Sequence, residues 1–179
     1  EQKETFLWQS ESWGKWMHSA VPYALYSGDA ALRDMAVRSA KEIMACQLPD
    51  GYIGNYAPEK QCGEGTWDVW GRKYTLLGLV HYYDLTGDRA ALACCGRMVD
   101  HLMTQVGPGR RSLAKTGSHR GLASLSILEP LVLLWERTQD VRYRKAIDYV
   151  LSEMCDNPEG PELLRRSTHD VASRFADGG

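Results

Sequence analysis

Three stretches of the 179-residue chain repeat one pattern, a turn that ends in aspartate between two helical segments. They read LYSGDAALRDMA (25–36), LTGDRAALACC (85–95) and RTQDVRYRKAI (137–147). Aspartate is a favourable N-cap, and Gly28 and Gly87 can end the helix that precedes the turn. The pattern therefore predicts three tight connections between paired helices, at Asp29, Asp88 and Asp140.

The two helices of each predicted pair differ in their hydrophobic pattern. The segments before the aspartates, WMHSAVPYALY, YTLLGLVHYYDL and LASLSILEPLVLLW, are apolar nearly all round, which indicates buried inner helices. The segments after them are amphipathic, with Met35 and Ala36 among the apolar positions of the first, which indicates outer helices. Pro22 and Pro130 fall inside inner segments, and each is expected to kink or interrupt its helix. No strand alternation is present, so we predict an all-α chain, an α/α toroid of helical hairpins.

Composition and charge exclude several classes of function. The net charge of -2 gives no basic surface, so we expect no nucleic-acid partner. No apolar run reaches the roughly 18 residues of a membrane span, so we expect a soluble protein with no membrane partner. The opening EQKETFLWQS does not resemble a signal peptide, and cytoplasmic, periplasmic and secreted locations all remain open. The five cysteines show no disulfide framework, and Cys94 and Cys95 are interpreted as packing residues.

Two long loops, residues 48–66 and 107–118, connect an outer helix to the next inner helix. Long loops in a compact domain are often functional, and these two are expected on one face, at the N-terminal ends of the inner helices. The groups ESWGKW (11–16), WDVWGRK (67–73) and SHRG (118–121) would then converge at one mouth. Free backbone N–H groups at such helix ends favour anionic or hydroxyl-rich ligands.

The mouth supplies the predicted substrate-binding residues. The chain has six Trp and nine Tyr but two Phe, and Trp and Tyr combine a flat apolar face with a polar tip, which suits sugar binding. Arg72 and Lys73 at a helix start oppose the helix dipole and need a partner, which could be a substrate carboxylate, a glutamate or solvent. Core packing remains an alternative for Trp16, and a hydrophobic staple for Trp67. The full predicted set is Trp16, Tyr56, Glu59, Trp67, Trp70, Arg72, Lys73 and Arg120.

Three residues are candidates for catalysis: Asp68, Glu129 and His119. Asp68 could face a substrate or cap a helix, and His119 could be an acid/base or simply a solvated loop residue. Glu129 lies in an apolar helix, where a carboxylate needs a partner. Glycosidases commonly use two carboxylates across the scissile bond, and Asp68 with Glu129 is the pair that we nominate.

Three motifs, DGYIGNYAPEKQ, WDVWGRKYTLLGLVHYYDLTGD and HRGLASLSILEPLVLLWERTQD, resemble the β-L-arabinofuranosidase family, glycoside hydrolase family 127. The resemblance covers about residues 10–156 and implies a toroid of about six helix pairs, of which this chain supplies three. We therefore expect a partial catalytic domain over 1–156 and an irregular tail over 157–179 with a short helix near 162–166. Half a toroid exposes apolar flanks, so the resemblance implies a partner, either the rest of the toroid or an oligomer.

The resemblance also implies a chemistry. Family members are retaining glycosidases with a cysteine nucleophile held on zinc by further cysteines and a glutamate, and with a second glutamate as acid/base. No position here matches those residues, which are expected beyond Gly179, and Cys94-Cys95 lies in an outer helix of the wrong repeat. Zinc is therefore expected only in a full-length member. Sugar-binding histidines of the family correspond to Lys73 and about Ser124 here, which suits a different sugar.

Two alternatives to a glycosidase remain open. The first is another toroid carbohydrate enzyme, an epimerase or a lyase, for which Arg72, Lys73 and His119 could bind and deprotonate a uronate. The second is a helical-repeat module that binds a glycan without cleaving it.

Overall fold

The computed structural model describes residues 7–167, and every regular element among them is helical. The helices are α1 (Gln9–Ser27), α2 (Ala30–Ala45), α3 (Asp68–Thr86), α4 (Arg89–Gln105), α5 (Leu122–Leu125), α6 (Leu128–Thr138), α7 (Val141–Cys155) and α8 (Leu163–Ser167). Helices α1 and α2, α3 and α4, and α6 and α7 form the three predicted hairpins. The all-α class, with three helix pairs of an α/α toroid, is confirmed.

The three hairpin turns have the capping that the sequence predicts. Each capping side chain accepts a hydrogen bond of 2.9 to 3.0 Å from a backbone N–H two or three residues on, at Asp29, Asp88 and Asp140. Gly28 and Gly87 end the preceding helices at a φ of 71°, where glycine carries no steric penalty. In the third turn Gln139 takes this left-handed position, with a φ of 54°.

Helix α3 lies at the centre of the structure and packs against α1, α4 and α6. It is buried along most of its length, as its all-round apolar sequence predicts. The same expectation is wrong for α1, whose far flank exposes Tyr23, Leu25 and Tyr26. The side chain of Tyr26 is 91% exposed to solvent. The difference arises because α1 has an inner-helix neighbour on one side, whereas α3 has one on each side.

Helices α1 and α3 approach each other closely along a seam of glycines. A Cβ added at Gly14 would lie 2.1 Å from the backbone oxygen of Tyr74. A Cβ at Gly78 would lie 2.4 Å from the ring of Trp13. Both distances are far inside van der Waals contact. At Gly14 the obstacle is backbone, so this position requires glycine, whereas a Cβ at Gly78 would require the Trp13 ring to shift.

The two prolines behave differently. Helix α1 continues through Pro22, although that residue donates no backbone hydrogen bond. The third inner segment is interrupted after Leu125, and α6 begins at Leu128, which places Pro130 in its first turn. A first-turn N–H has no partner within the helix, so proline is tolerated there.

The segment after Asp156 folds back onto the loop before α5. Arg120 donates a 2.6 Å hydrogen bond to the carbonyl of Pro158, and Lys115 pairs with Glu159 at 2.9 Å. The expected short helix is present as α8. The boundary at residue 156 stays a prediction, and residues 168–179 of the predicted tail lie outside the described residues.

Candidate functional site

A cleft of about 230 Å³ opens between α1, α3 and the start of α6. Its lining comes from three inner segments that are distant in sequence. Two of the three groups expected at one mouth contribute to it, through Lys15 and Lys73, whereas residues 118–121 do not line it. Lys73 and Glu129, both predicted site residues, face each other here with 3.2 Å between the ammonium nitrogen and Glu129 Oε2. The lining residues are Lys15, His18, Ser19, Lys73, Tyr74, Leu77 and Glu129.

A row of aromatic rings leads to this cleft. The ring centroids of Trp8 and Trp67 are 5.6 Å apart, those of Trp67 and Trp70 6.0 Å, and those of Trp70 and Tyr74 5.1 Å. Positions 67, 70 and 74 fall on one face of a helix, which explains why consecutive rings touch. The row ends at Tyr74 in the cleft, where it offers a flat apolar surface beside polar groups.

Two lysines share the last rings of this row. Lys73 Nζ lies 5.0 Å from the centroid of Trp70 and 4.8 Å from that of Tyr74, and Lys15 Nζ lies 5.9 and 5.2 Å from the same rings. These are cation–π distances. Lys15 also bonds Glu11 Oε1 at 2.6 Å, and this hydrogen bond raises the pKa of Lys15. Of the partners left open for Lys73, the structure supplies a glutamate, Glu129.

A histidine pair extends the cleft wall. His18 Nδ1 lies 2.8 Å from His81 Nε2, with the rings edge to face. Burial, followed by the neighbouring His18, lowers the pKa of His81. Neither His18 nor His81 is among the site residues predicted from the sequence. One signal was available in the sequence, because Lys73, Leu77 and His81 are four residues apart and share a helix face.

Asp68 and Arg72 are buried and lie outside the lining of this cleft. Arg72 Nη2 and Nε donate to Asp68 Oδ2 and Oδ1 at 2.6 and 3.2 Å. The Tyr52 hydroxyl and the Cys62 backbone N–H donate to the same carboxylate at 2.8 and 2.9 Å. Burial raises the pKa of Tyr52. Because four donors surround the Asp68 carboxylate, it links the loop of residues 46–67 to α3. Asp68 does not line the cleft, so it does not face Glu129, with which we nominated it as a catalytic pair.

Arg72 is the centre of a larger buried polar cluster. It donates to Gln105 Oε1 at 2.9 Å and lies 3.2 Å from His101 Nδ1, both on α4. His101 Nε2 is 3.3 Å from Asp50 in the loop. Burial, followed by Arg72, lowers the pKa of His101. The partner that Arg72 needs is therefore supplied by the chain itself, and the guanidinium is not available to a ligand.

Three further predicted binding residues, Trp16, Tyr56 and Glu59, do not line this cleft. Trp16 is half-buried against the hydrophobic core. The Tyr56 hydroxyl accepts a 3.1 Å bond from the backbone N–H of Trp67, and burial raises the pKa of Tyr56. Tyr56 lines a second cleft, of about 340 Å³, formed by residues 46–58. Glu59 is exposed in the 3-10 turn Pro58–Lys60.

His119 and Arg120 lie in a loop before α5 and do not line the cleft between α1, α3 and α6. They have left-handed φ values of 54° and 55° and precede Gly121 at 75°. His119 Nδ1 is 2.9 Å from Ser118 Oγ, and the side chain is otherwise exposed. Arg120 is engaged with the returning segment at Pro158.

Neither a metal centre nor a membrane span is found among residues 7–167. Within 7–167, no group of three or more His, Cys, Asp or Glu side chains is arranged to hold a metal ion. These residues therefore do not fit the zinc centre that the family implies, and we derive no step through zinc. No helix in the described part of the chain combines the length and apolarity needed to cross a membrane.

The comparison with known proteins agrees with the fold and the motifs. No curated protein matches the chain. The family model described as the β-L-arabinofuranosidase, GH127 catalytic domain matches residues 1–166, which is nearly the whole sequence. The chain therefore belongs to the glycoside hydrolase family 127 of β-L-arabinofuranosidase-like catalytic domains.

Proposed function

We propose that this chain supplies the sugar-binding part of a glycosidase catalytic domain of the β-L-arabinofuranosidase type. The observation that carries the proposal is the cleft in which Tyr74 stands beside Lys73 and Glu129, with Trp70 behind Lys73. A sugar ring has an apolar face and a rim of hydroxyl groups, so it needs an aromatic surface and polar groups together. Family membership supplies the reaction class, hydrolysis of a glycosidic bond.

The residues of the cleft divide into two roles in this proposal. Tyr74, at the end of the aromatic row, stacks on the apolar face of the sugar. Lys15 and Lys73 donate to sugar oxygens, and Glu129 accepts from hydroxyl groups. His18 donates or accepts according to the tautomer of its partner His81.

Bond cleavage requires groups beyond this cleft. Glycosidases commonly need two carboxylates about 5–10 Å apart, one of them an acid. Glu129 lines the cleft, whereas Asp68 is held by four donors in the interior. We therefore assign Glu129 to binding and propose that the nucleophile and the acid/base lie outside residues 7–167.

The exposed flank of α1 supports a partner for this chain. Tyr23, Leu25 and Tyr26 are exposed together on an inner helix, a position that a closed toroid would cover. We propose that the remainder of the toroid, or a second copy, packs on this flank and completes the site.

The experiment that tests the function uses the complete protein as its gene encodes it. Hydrolysis of an aryl β-L-arabinofuranoside and binding of L-arabinose by calorimetry are measured for the wild type and Tyr74→Ala. We expect hydrolysis by the wild type and a roughly tenfold weaker affinity in the variant, because an aromatic contact is worth roughly 1.5 kcal/mol. Val141→Ala removes an exposed apolar side chain at the start of the outer helix α7, outside the cleft lining, and should leave both values unchanged.

The other outcomes discriminate among the candidates. Sugar binding without turnover would favour a glycan-binding module, for which the saturated Asp68 is the supporting observation. Elimination to an unsaturated product from an added uronate-containing oligosaccharide would favour a lyase. Absence of binding to any sugar would overturn the proposal.

A further inference from the structure

We infer that the cleft lined by Lys15, Lys73 and Glu129 selects a sugar bearing a carboxylate, and that the ammonium groups of the two lysines bind that carboxylate. This inference rests on the proposed sugar-binding function and specifies its substrate class. The observation is the convergence of two ammonium groups from different helices on the same two aromatic rings.

Lys73 provides a fixed positive charge in the wall of the cleft. Its side chain is only 10% exposed, so the ammonium lies within the wall of the cleft and not in bulk solvent. An ammonium has three N–H donors, and beside it stand one carboxylate, at 3.2 Å, and two ring faces. The ring faces stabilise the charge but leave hydrogen-bonding capacity for an oxygen in the cleft.

Lys15 provides a second positive charge at the solvent side. Its side chain is 52% exposed, and Glu11 Oε1 holds the ammonium at 2.6 Å. Glu11 is not part of the cleft lining, so it positions the charge without facing the ligand. A ligand group above Tyr74 therefore meets Lys15 and Lys73 together.

The charge balance of the cleft favours an anion over a neutral sugar. Its lining contains two lysines and one carboxylate, while Glu11, the partner of Lys15, lies outside the lining. Glu129 is half exposed, so it can turn to solvent while a ligand carboxylate takes its place beside Lys73. Charge-assisted hydrogen bonds are roughly twice as strong as neutral ones, which gives the carboxylate sugar its advantage.

The test measures binding to the complete protein by calorimetry at low salt. The probes are two matched pairs, D-galacturonate with D-galactose and D-glucuronate with D-glucose, together with L-arabinose, acetate and D-galactose 6-sulfate. We expect at least one uronate to bind about tenfold more tightly than its neutral partner, and acetate alone to bind at least tenfold more weakly than that uronate. Added salt should weaken the affinity for the uronate and leave the affinities for the neutral sugars unchanged.

Three variants test whether the preference for a uronate arises in this cleft. Lys15→Met removes an exposed charge with little risk to folding and should abolish the tenfold preference for a uronate over its neutral partner, because it costs the uronate more affinity than the neutral sugar. Lys73→Met should do the same if it folds, which circular dichroism checks. Lys145→Met, an exposed lysine on α7, is the matched control and should retain the preference.

The outcomes separate this inference from the proposed function. If L-arabinose or another neutral sugar binds and no uronate binds more tightly, the inference is wrong and sugar binding stands. A preference that survives Lys15→Met also overturns it. If D-galactose 6-sulfate binds more tightly than either uronate, the cleft does not select a carboxylate and the inference is wrong. If no sugar binds, both proposals fail.

Discussion

His18 on α1 and His81 on α3 hold their facing nitrogens, His18 Nδ1 and His81 Nε2, 2.8 Å apart. At this distance one nitrogen carries the proton and the other accepts it, so the two cannot both be protonated without breaking the contact. The charges that act on His81 are those of His18, Asp84, Arg137 and Glu129. Burial is the largest influence and lowers the pKa of His81.

The first prediction concerns stability against pH. The pKa of His81 is lower in the folded chain than in the unfolded chain, where it is about 6.5. Between the folded and the unfolded pKa of His81 the unfolded chain binds more protons than the folded chain. The contribution of neutral His81 to the free energy of unfolding is therefore complete above about pH 6.5 and is lost as pH falls through the folded pKa. His101, whose pKa is also lowered, acts in the same direction. The free energy of unfolding should therefore decrease from pH 7.5 to 5.5 in urea titrations.

A variant assigns part of this effect to the pair. His81→Gln cannot titrate and should make the pH dependence of the unfolding free energy shallower. His119→Gln changes an exposed loop histidine and should keep the wild-type dependence. An identical pH dependence in His81→Gln and the wild type would show that His81 does not titrate in this range.

The second prediction concerns the buried ion pair below the aromatic row. Asp68→Ala leaves Arg72, whose side chain is 2% exposed, without its carboxylate. An uncompensated buried charge should lower the free energy of unfolding by about 3–5 kcal/mol, measured by chemical denaturation. The surface pair of Arg144 and Asp148 has the same four-residue spacing and a 2.9 Å contact, but both side chains are more than half exposed. Asp148→Ala should therefore cost about 0.5 kcal/mol or less, and equal costs for the two variants would contradict the assigned role.

The third prediction concerns the glycine seam between α1 and α3. Gly14→Ala places a Cβ 2.1 Å from the backbone oxygen of Tyr74, which cannot rotate away. Overpacking of this kind costs about 1–3 kcal/mol or more, measured as a loss of unfolding free energy. Gly71 lies on the same seam, but its Cβ would meet Ser10 at an ordinary 3.5 Å. Gly71→Ala should therefore be neutral or stabilise by up to about 1 kcal/mol. A Gly14→Ala chain as stable as the wild type would show that the helices can separate without cost.

The hairpins were predictable because their signals are local. An aspartate N-cap and a left-handed residue before it act within one turn of chain, so Asp29 and Asp88 mark the ends of helices without knowledge of the fold. The ion pair of Asp68 and Arg72 also has a local signal, since residues four apart on a helix are neighbours. This spacing makes each residue a candidate partner of the other, and the structure pairs them at 2.6 Å.

The remaining features depend on how the helices pack. The contact between His18 and His81 requires the register of α1 on α3, which the seam at Gly14 and Gly78 determines. The exposure of Met35, expected on the apolar face of α2, reflects burial centred on Ala36 and Ala40 instead. Hydrophobic periodicity gives the direction of a face only to within a residue or so, and the neighbour decides which position is covered.

The last prediction concerns the cysteines. Cys62, Cys94 and Cys95 are buried, and burial raises the pKa of Cys62 and of Cys94 to about 11 and that of Cys95 well above its usual value. The thiolate is the reactive form, so at pH 8 these thiols should alkylate about a hundredfold or more slowly than an ordinary exposed cysteine. Cys46 is exposed and should react first.

Iodoacetamide labelling followed by peptide mass spectrometry measures this difference. The folded chain should be labelled at Cys46 and more slowly at the half-buried Cys155, whereas denaturant should expose all five cysteines. Cys46→Ser should remove the fast phase and serves as the control. Rapid labelling of Cys94 or Cys95 without denaturant would contradict their packing role. It would also show that α4, which holds both residues, opens readily, because neither sulfur is accessible while the helix remains packed.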